Sequence, residues 1–266
     1  MALRTDLAIE KTDTKKNYQE EIIKRENIVI TRHKKEREKY VTIEFESLFH
    51  ITDYKDLEEQ IIKALEFVSG KKYESFLISG LGNTEITADA IGPLTANKIL
   101  ATRHIMGEFA KQNGLESLKS VSVISPGVLG KTGIETAEIL RGIKEKTNPE
   151  AMIVIDALAS GSLSRLYNCI QISNQGISPG SGVKNSRKEI SEKTFSVPVI
   201  AIGIPTVVDA NTLAFEITGE TGEKADMILT PKDSDILTDK MSEILSRALN
   251  LFLQPETDRD IVLALV

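Results

Sequence analysis

Apolar positions are sparse up to about residue 27 and then fall into short runs and spaced stripes. Residues 1–27 are polar and charged and predict an arm outside the core. Ile28–Thr31 and Tyr40–Phe45 are β-rich runs on either side of the basic stretch His33–Lys39, which predicts a hairpin around a solvated loop. Leu57, Ile61, Leu65 and Val68 share one helical face, with Thr52 or Asp53 to cap the start and Gly70 to stop it. Strands and helices then alternate. Ser75–Ser79, Val121–Ser125 and Met152–Asp156 are short buried strands, and Ile170–Ile172 and Val199–Ile202 are two more.

Between these strands lie helical stripes. Pro93–Asn113 carries Ala96, Ile99, Leu100, Met106 and Phe109 inward and stops at Gly114. Ile134–Lys146 carries Ile139, Leu140 and Ile143. The run from Asp233 carries Leu237, Met241, Ile244, Leu245, Ala248 and Phe252. Apolar runs of strand length alternating with amphipathic helices predict an α/β fold, a largely parallel central sheet covered on both faces. There is no internal repeat, so residues 28–266 are expected to form one domain after the arm.

Composition narrows the classes. Trp is absent, so Ile, Leu and Val fill the core. A net charge of −6 disfavours a nucleic-acid-binding surface. Cys169 stands alone, which excludes an internal disulfide and a cysteine zinc site. No stretch approaches the length of a membrane span, and the first residues lack the apolar core of a secretory signal. A reduced, cytoplasmic setting without membrane contact is expected.

Ligands of open α/β sheets bind beyond the carboxyl ends of the strands. Four unusual segments fall there: Gly80–Pro93, Pro126–Thr136, Gly176–Gly182, and Pro205-Thr206 with Asp209. Asp156 follows four apolar residues, and a carboxylate in such surroundings needs partners or a shifted pKa. It suits a helix cap or a partner of Arg165 or Arg187 as well as a catalyst. Asp89 likewise suits a cap of the following helix. As a pair they carry more: two close carboxylates titrate as a unit, so one keeps its proton while the other ionises. That supplies a base for water and an acid for a carbonyl or leaving amine.

The turn Gly80-Leu81-Gly82-Asn83 invites a phosphate reading. Glu85 stands where a third glycine belongs and the P-loop Lys is missing, so no nucleotide cofactor is expected. The glycines then serve tight turns at a cleft edge where a peptide lies, with Gly127 and Gly180 on neighbouring loops. No GxSxG elbow surrounds Ser125, Ser160 or Ser181, none of His33, His50 and His104 pairs obviously with a serine, and no HExxH marks a metal site. Cys169 opens a strand and reads as buried, not nucleophilic.

Several stretches resemble the germination protease family of endospore-forming bacteria. They are RTDLAIE at Arg4–Glu10, GLGNTEITADAIGP at Gly80–Pro93, TRH at Thr102–His104, PGVLGKTGIET at Pro126–Thr136, IDALAS at Ile155–Ser160, IQISNQGISPGSGV at Ile170–Val183, PVIAIGIPTVVDA at Pro198–Ala210 and LTPKDSD at Leu229–Asp235. The resemblance implies a three-layer fold similar to hydrogenase maturation proteases, and an endopeptidase that degrades small acid-soluble spore proteins in the spore core during germination. It implies an atypical aspartic peptidase with Asp89 and Asp156 as its catalytic pair. It also implies an inactive zymogen, a homo-oligomer that is typically a tetramer, and self-processing between Asp6 and Leu7, which makes residues 1–6 a short propeptide. Three features depart from the pattern: a shortened stretch between Ala210 and Thr230, Gly161 in place of Arg, and Lys184 in place of Gly. Two further readings of the same cleft are a metal-dependent maturation-type peptidase and a non-catalytic peptide-binding paralogue.

Overall fold

A computed structural model of the chain describes residues 5–11, 17–51, 53–105, 108–112, 115–180, 188–219 and 227–264. Its strands are β1 (Gln19–Lys24), β2 (Ile28–Lys35), β3 (Glu38–Phe45), β4 (Ser75–Gly80), β5 (Ser120–Ile124), β6 (Ala151–Ser160), β7 (Cys169–Ser173), β8 (Val199–Asp209) and β9 (Ile228–Leu229). Its helices are α1 (Lys55–Ser69), α2 (Ile91–Ala96), α3 (Glu108–Gln112), α4 (Leu129–Thr132), α5 (Thr136–Thr147), α6 (Glu192–Phe195), α7 (Ala210–Thr218), α8 (Ser234–Leu253) and α9 (Arg259–Ala264). Among the described residues no helix is long and apolar enough to cross a membrane.

The strands form one sheet in the order β1-β2-β3-β7-β8-β6-β4-β5, with β9 paired to β8. Its centre, β8-β6-β4-β5, is parallel. The flank β1-β2-β3-β7 is antiparallel, as is the junction of β7 with β8. The α/β class and the parallel centre are as expected, and the antiparallel flank makes the sheet mixed. Alternation along β6 shows why both faces need helices. Ile153 and Ile155 belong to a large core under α1 and α8, whereas Met152 and Val154 belong to a second core under α5 and α6. That places helices on both sides, giving three layers.

Helix α1 follows its sequence stripe: Leu57, Ile61, Leu65 and Val68 are buried, and Gly70 ends it in the left-handed conformation at φ +69°. Asp53 accepts the Lys55 N–H at 2.9 Å, while Thr52 lies outside the described residues. Four expectations need correction. The span 93–113 is not one helix, because Asn250 on α8 takes its polar backbone. The Asn250 side chain accepts the Leu100 N–H at 2.8 Å and donates to the Lys98 carbonyl at 2.9 Å, and the Thr102 N–H bonds the Val121 carbonyl. Met106, Gly114 and the side chain of Phe109 lie outside the described residues. The basic stretch His33–Lys39 is mostly strand, since β2 and β3 extend to the pair Lys35 and Glu38 and bury His33. The strand expected to end at Asp156 runs on to Ser160, because β8 continues beside it. Within the polar arm, Leu7 and Ala8 are buried, Leu7 against Leu158 and Cys169.

One buried charge ties the helical layer together. Glu58 on α1 is 0% exposed and pairs with Arg247 of α8 and Arg259 of α9. Removing a buried carboxylate strands its partners, although these arginines are about one-third exposed and regain some water. Glu58→Ala is therefore expected to lower unfolding stability by about 2–3 kcal/mol, read from urea denaturation. A midpoint equal to wild type would remove this clamp from the fold's energetics.

Candidate active site

The site begins where two neighbouring strands differ in length. β4 stops at Gly80, opposite Ile155, while β6 continues through Ser160. Asp156 is the first residue beyond that stop. It shares the face of Met152 and Val154, is 5% exposed, and its Oδ1 accepts the Ala157 N–H at 3.0 Å. The strand end freed by β4 is used by the N-terminal segment. The Asp6 N–H donates to the Ala159 carbonyl at 3.0 Å, and the Asp6 carboxylate accepts the Ala159 N–H at 3.0 Å.

Asp89 arrives from the loop after β4, at the end of a 3₁₀ turn, Thr87–Asp89. The loop folds back tightly at Gly82, whose φ of +118° is open only to glycine. A Cβ there would meet the Asp89 carbonyl oxygen at 2.0 Å. The Asn83 N–H donates to that same carbonyl at 3.0 Å.

Asp6, Asp89 and Asp156 line one cavity of about 500 Å³. Gly82, Gly127 and Gly180 line it too, the latter two at φ +74° and +72°. Ile86 and Ile228, about half exposed, give its wall an apolar part. Two residues expected on the peptide-binding wall serve the fold instead. Gly80 is buried, and a Cβ there would meet the Gly92 carbonyl at 2.1 Å, so its task is to let α2 lie on β4. Asn83 shapes the loop: its side chain accepts the Glu85 N–H at 3.1 Å. The amides of Leu81 and Asn83 bond the carbonyls of Ile155 and Asp89, so they do not point to a substrate carbonyl.

The other candidates have other partners. Arg165, offered as a partner of Asp156, bonds Glu10 at 2.9 Å and Glu44 at 2.8 Å. The single Ser160 O–H has the Glu10 carboxylate at 3.1 Å and the Ser162 carbonyl at 2.9 Å as its acceptors. Cys169 is fully buried, and desolvation pushes its thiol pKa up, the wrong direction for a nucleophile. Ser181, Lys184 and Arg187 lie outside the described residues. Among the described residues no group of three or more His, Cys, Asp and Glu side chains is arranged to hold a metal ion.

Sequence reasoning named Pro205-Thr206 as a strand-end segment but gave the Thr206 hydroxyl no role, and it missed the stretch of β6 beyond the end of β4. Thr206 lines the cavity and donates to the Ala88 carbonyl at 2.6 Å. No local signal marks either feature, since both depend on the relative lengths and register of strands distant in sequence.

Comparison with known proteins places the chain in the class of peptidases. A germination protease of Caldanaerobacter subterraneus subsp. tengcongensis is 39% identical over 311 aligned positions, covering 96% of this chain and 95% of that protein. One from Clostridium tetani is 37% identical and one from Clostridium acetobutylicum 34%, each covering 96% of both chains. The chain belongs to the germination protease family (peptidase A25), whose profile matches residues 4–221. Among solved structures, a NiFe-hydrogenase maturation protease, HycI, from Thermococcus kodakarensis KOD1 matches with a TM-score of 0.41 and 16% identity, covering 70% of this chain and 97% of that one.

Proposed function

We propose that this peptidase is an endopeptidase that begins the degradation of small acid-soluble spore proteins during germination, in the spore core. Asp89 and Asp156 share the work on one water molecule. The observation that carries this reading is that Asp89, from the loop after β4, and Asp156, on β6, line one cavity although they stand 67 residues apart in sequence (156 − 89). Asp156 is nearly closed to solvent. A low-dielectric site strengthens the coupling of two carboxylates, so one holds a proton at a pH where the other has lost it. The ionised member takes a proton from water as it attacks the peptide carbonyl. The protonated member supplies a proton to the carbonyl oxygen or the departing amine.

The Asp6–Leu7 bond is the proposed self-processing site, and its docking suggests what a substrate needs. The Ala159 amide meets the acidic side chain, and Leu7 sits in an apolar pocket with Leu158 and Cys169. The enzyme then prefers an acidic residue followed by an apolar one. Losing a hydrogen bond to a charged group costs about 1.5–3 kcal/mol, so Asp6→Ala should slow the appearance of Leu7 as a new N-terminus by about tenfold or more. N-terminal mass analysis of the maturing chain reads this, and an unchanged rate would remove Ala159 as the acid-reading group. Assembly as a homotetramer belongs to the same proposal and is read by light scattering.

The test is digestion of an α/β-type small acid-soluble spore protein by chains beginning at Met1 and at Leu7. Cuts after acidic residues and before apolar ones are expected. Binding without any cut, from either chain, would turn the reading into that of a peptide-binding protein.

A further inference from the structure

The turn that carries Asp89 holds itself with few bonds, from the Asp89 N–H to the Ile86 carbonyl at 2.8 Å and from the Ala90 N–H to the Thr87 carbonyl at 3.2 Å. A three-residue 3₁₀ turn has poor hydrogen-bond geometry and few internal bonds. Here each of its three carbonyls accepts a hydrogen bond from outside the turn, two of them from other elements and one from the start of the same loop. The Thr87 carbonyl accepts from the Thr238 hydroxyl of α8 at 3.4 Å. The Ala88 carbonyl accepts from the Thr206 hydroxyl of β8 at 2.6 Å, and the Asp89 carbonyl accepts from the Asn83 amide at 3.0 Å.

Thr206 is the middle and shortest of these three contacts, and its position has a specific cause. Along the β6–β8 pairing, Leu158 faces Pro205 but Ala159 faces Val207. Thr206 is thus one extra residue on β8. Such a bulge turns a side chain away from the direction that strict alternation would give it. Thr206 is 0% exposed and lines the cavity with Asp156 and Asp89. Its own carbonyl accepts from the Thr230 hydroxyl at 2.9 Å, which fixes the bulge from the other side.

We propose that Thr206 is a positioning residue for the Asp89–Asp156 pair, its hydroxyl aimed by the bulge in β8 to hold the Ala88–Asp89 peptide at a fixed distance from β6. The inference rests on the two-carboxylate reading of the site. The split in protonation between two carboxylates depends on their separation, and a displacement of about 1 Å in a catalytic group can cost about 100-fold in rate. A hydroxyl that fixes Asp89 therefore acts on turnover and on the titration of the pair, without touching the substrate.

The experiment compares wild type, Thr206→Val, Thr206→Ser and Thr238→Val on a spore-protein peptide, measuring kcat, KM and the pH dependence of kcat/KM. Thr206→Val keeps the shape and removes the donor. It should lower kcat by about 10–100-fold with KM little changed, and draw the two limbs of the pH profile together. Thr206→Ser restores the donor and should recover most of the rate and the wild-type profile. A role in packing alone gives the opposite order: Ser, which lacks the methyl group, would then fall as far as Val or further, with the profile unmoved, and that result overturns the proposal. Should Thr206→Val fail to fold, Thr238→Val decides, since loss of the weaker contact to the same turn should shift the profile in the same direction by less. An unmoved profile there overturns it too. Asp89→Asn is assayed in parallel. Full activity in that variant would remove the two-carboxylate reading itself, which separates that failure from a failure of Thr206.

Discussion

Asp89→Asn and Asp156→Asn should each lower the cleavage rate by at least about 1,000-fold, and the double variant should fall little further. A general acid or base contributes typically about 10²–10⁴-fold, and residues that act as a unit lose most of that with the first member. Asn matches Asp in shape and cannot exchange a proton at neutral pH. It also keeps an oxygen that can accept the Ala157 amide, the contact Asp156 makes at 3.0 Å. The fold should therefore survive, and melting temperatures within a few degrees of wild type would show that chemistry, not folding, was lost. If the two single losses multiplied in the double variant, the carboxylates would be acting independently and the coupled pair would be wrong.

Gly82→Ala should also damage activity, by a different route. The residue sits at φ +118°, where an L side chain is strained. Its new Cβ would stand 2.0 Å from the Asp89 carbonyl oxygen and 3.0 Å from that residue's Oδ1. Neither neighbour is the free end of a long side chain, so the turn carrying Asp89 must move. A shift of about 1 Å predicts a loss of about 100-fold in kcat, with a modest fall in melting temperature. Gly127 makes the informative comparison. It too has positive φ and lines the cavity, but a Cβ there would meet only the Thr132 methyl, at 3.5 Å. Gly127→Ala should cost strain but displace no carboxylate. Equal losses from the two variants would mean that backbone strain, not displacement of Asp89, explains the effect.

How much of this was legible in the sequence depends on range. The stripe of Leu57, Ile61, Leu65 and Val68 gave α1 because periodicity is local, and the distant Lys39 bonds the Phe67 carbonyl only in the last turn, where carbonyls have no helical partner to lose. The stripe across residues 93–113 misled because Asn250, about 150 residues away, offers a better partner to Leu100 and Lys98 than a continued helix does. The β6 end was misplaced because strand length is set by the neighbour, and β8 continues past Asp156. For the site, Asp89 and Asp156 stood out by their settings and the structure brings them to one cavity. Gly80 and Asn83 looked equivalent to Gly82 in sequence, and only three-dimensional packing separates the glycine under α2 from the glycine against Asp89. Thr206 stood in a candidate strand-end segment with Pro205, but its role was not legible, since the bulge that aims it exists only in the pairing of β6 with β8.

The most direct measurement is mass spectrometry of an α/β-type small acid-soluble spore protein after incubation with wild type, Asp89→Asn and Asp156→Asn, each with and without a strong chelator. A coupled carboxylate pair predicts defined fragments from wild type, undiminished by chelator, and none from either variant. Fragments that vanish with chelator, or that persist in either Asn variant, would contradict it.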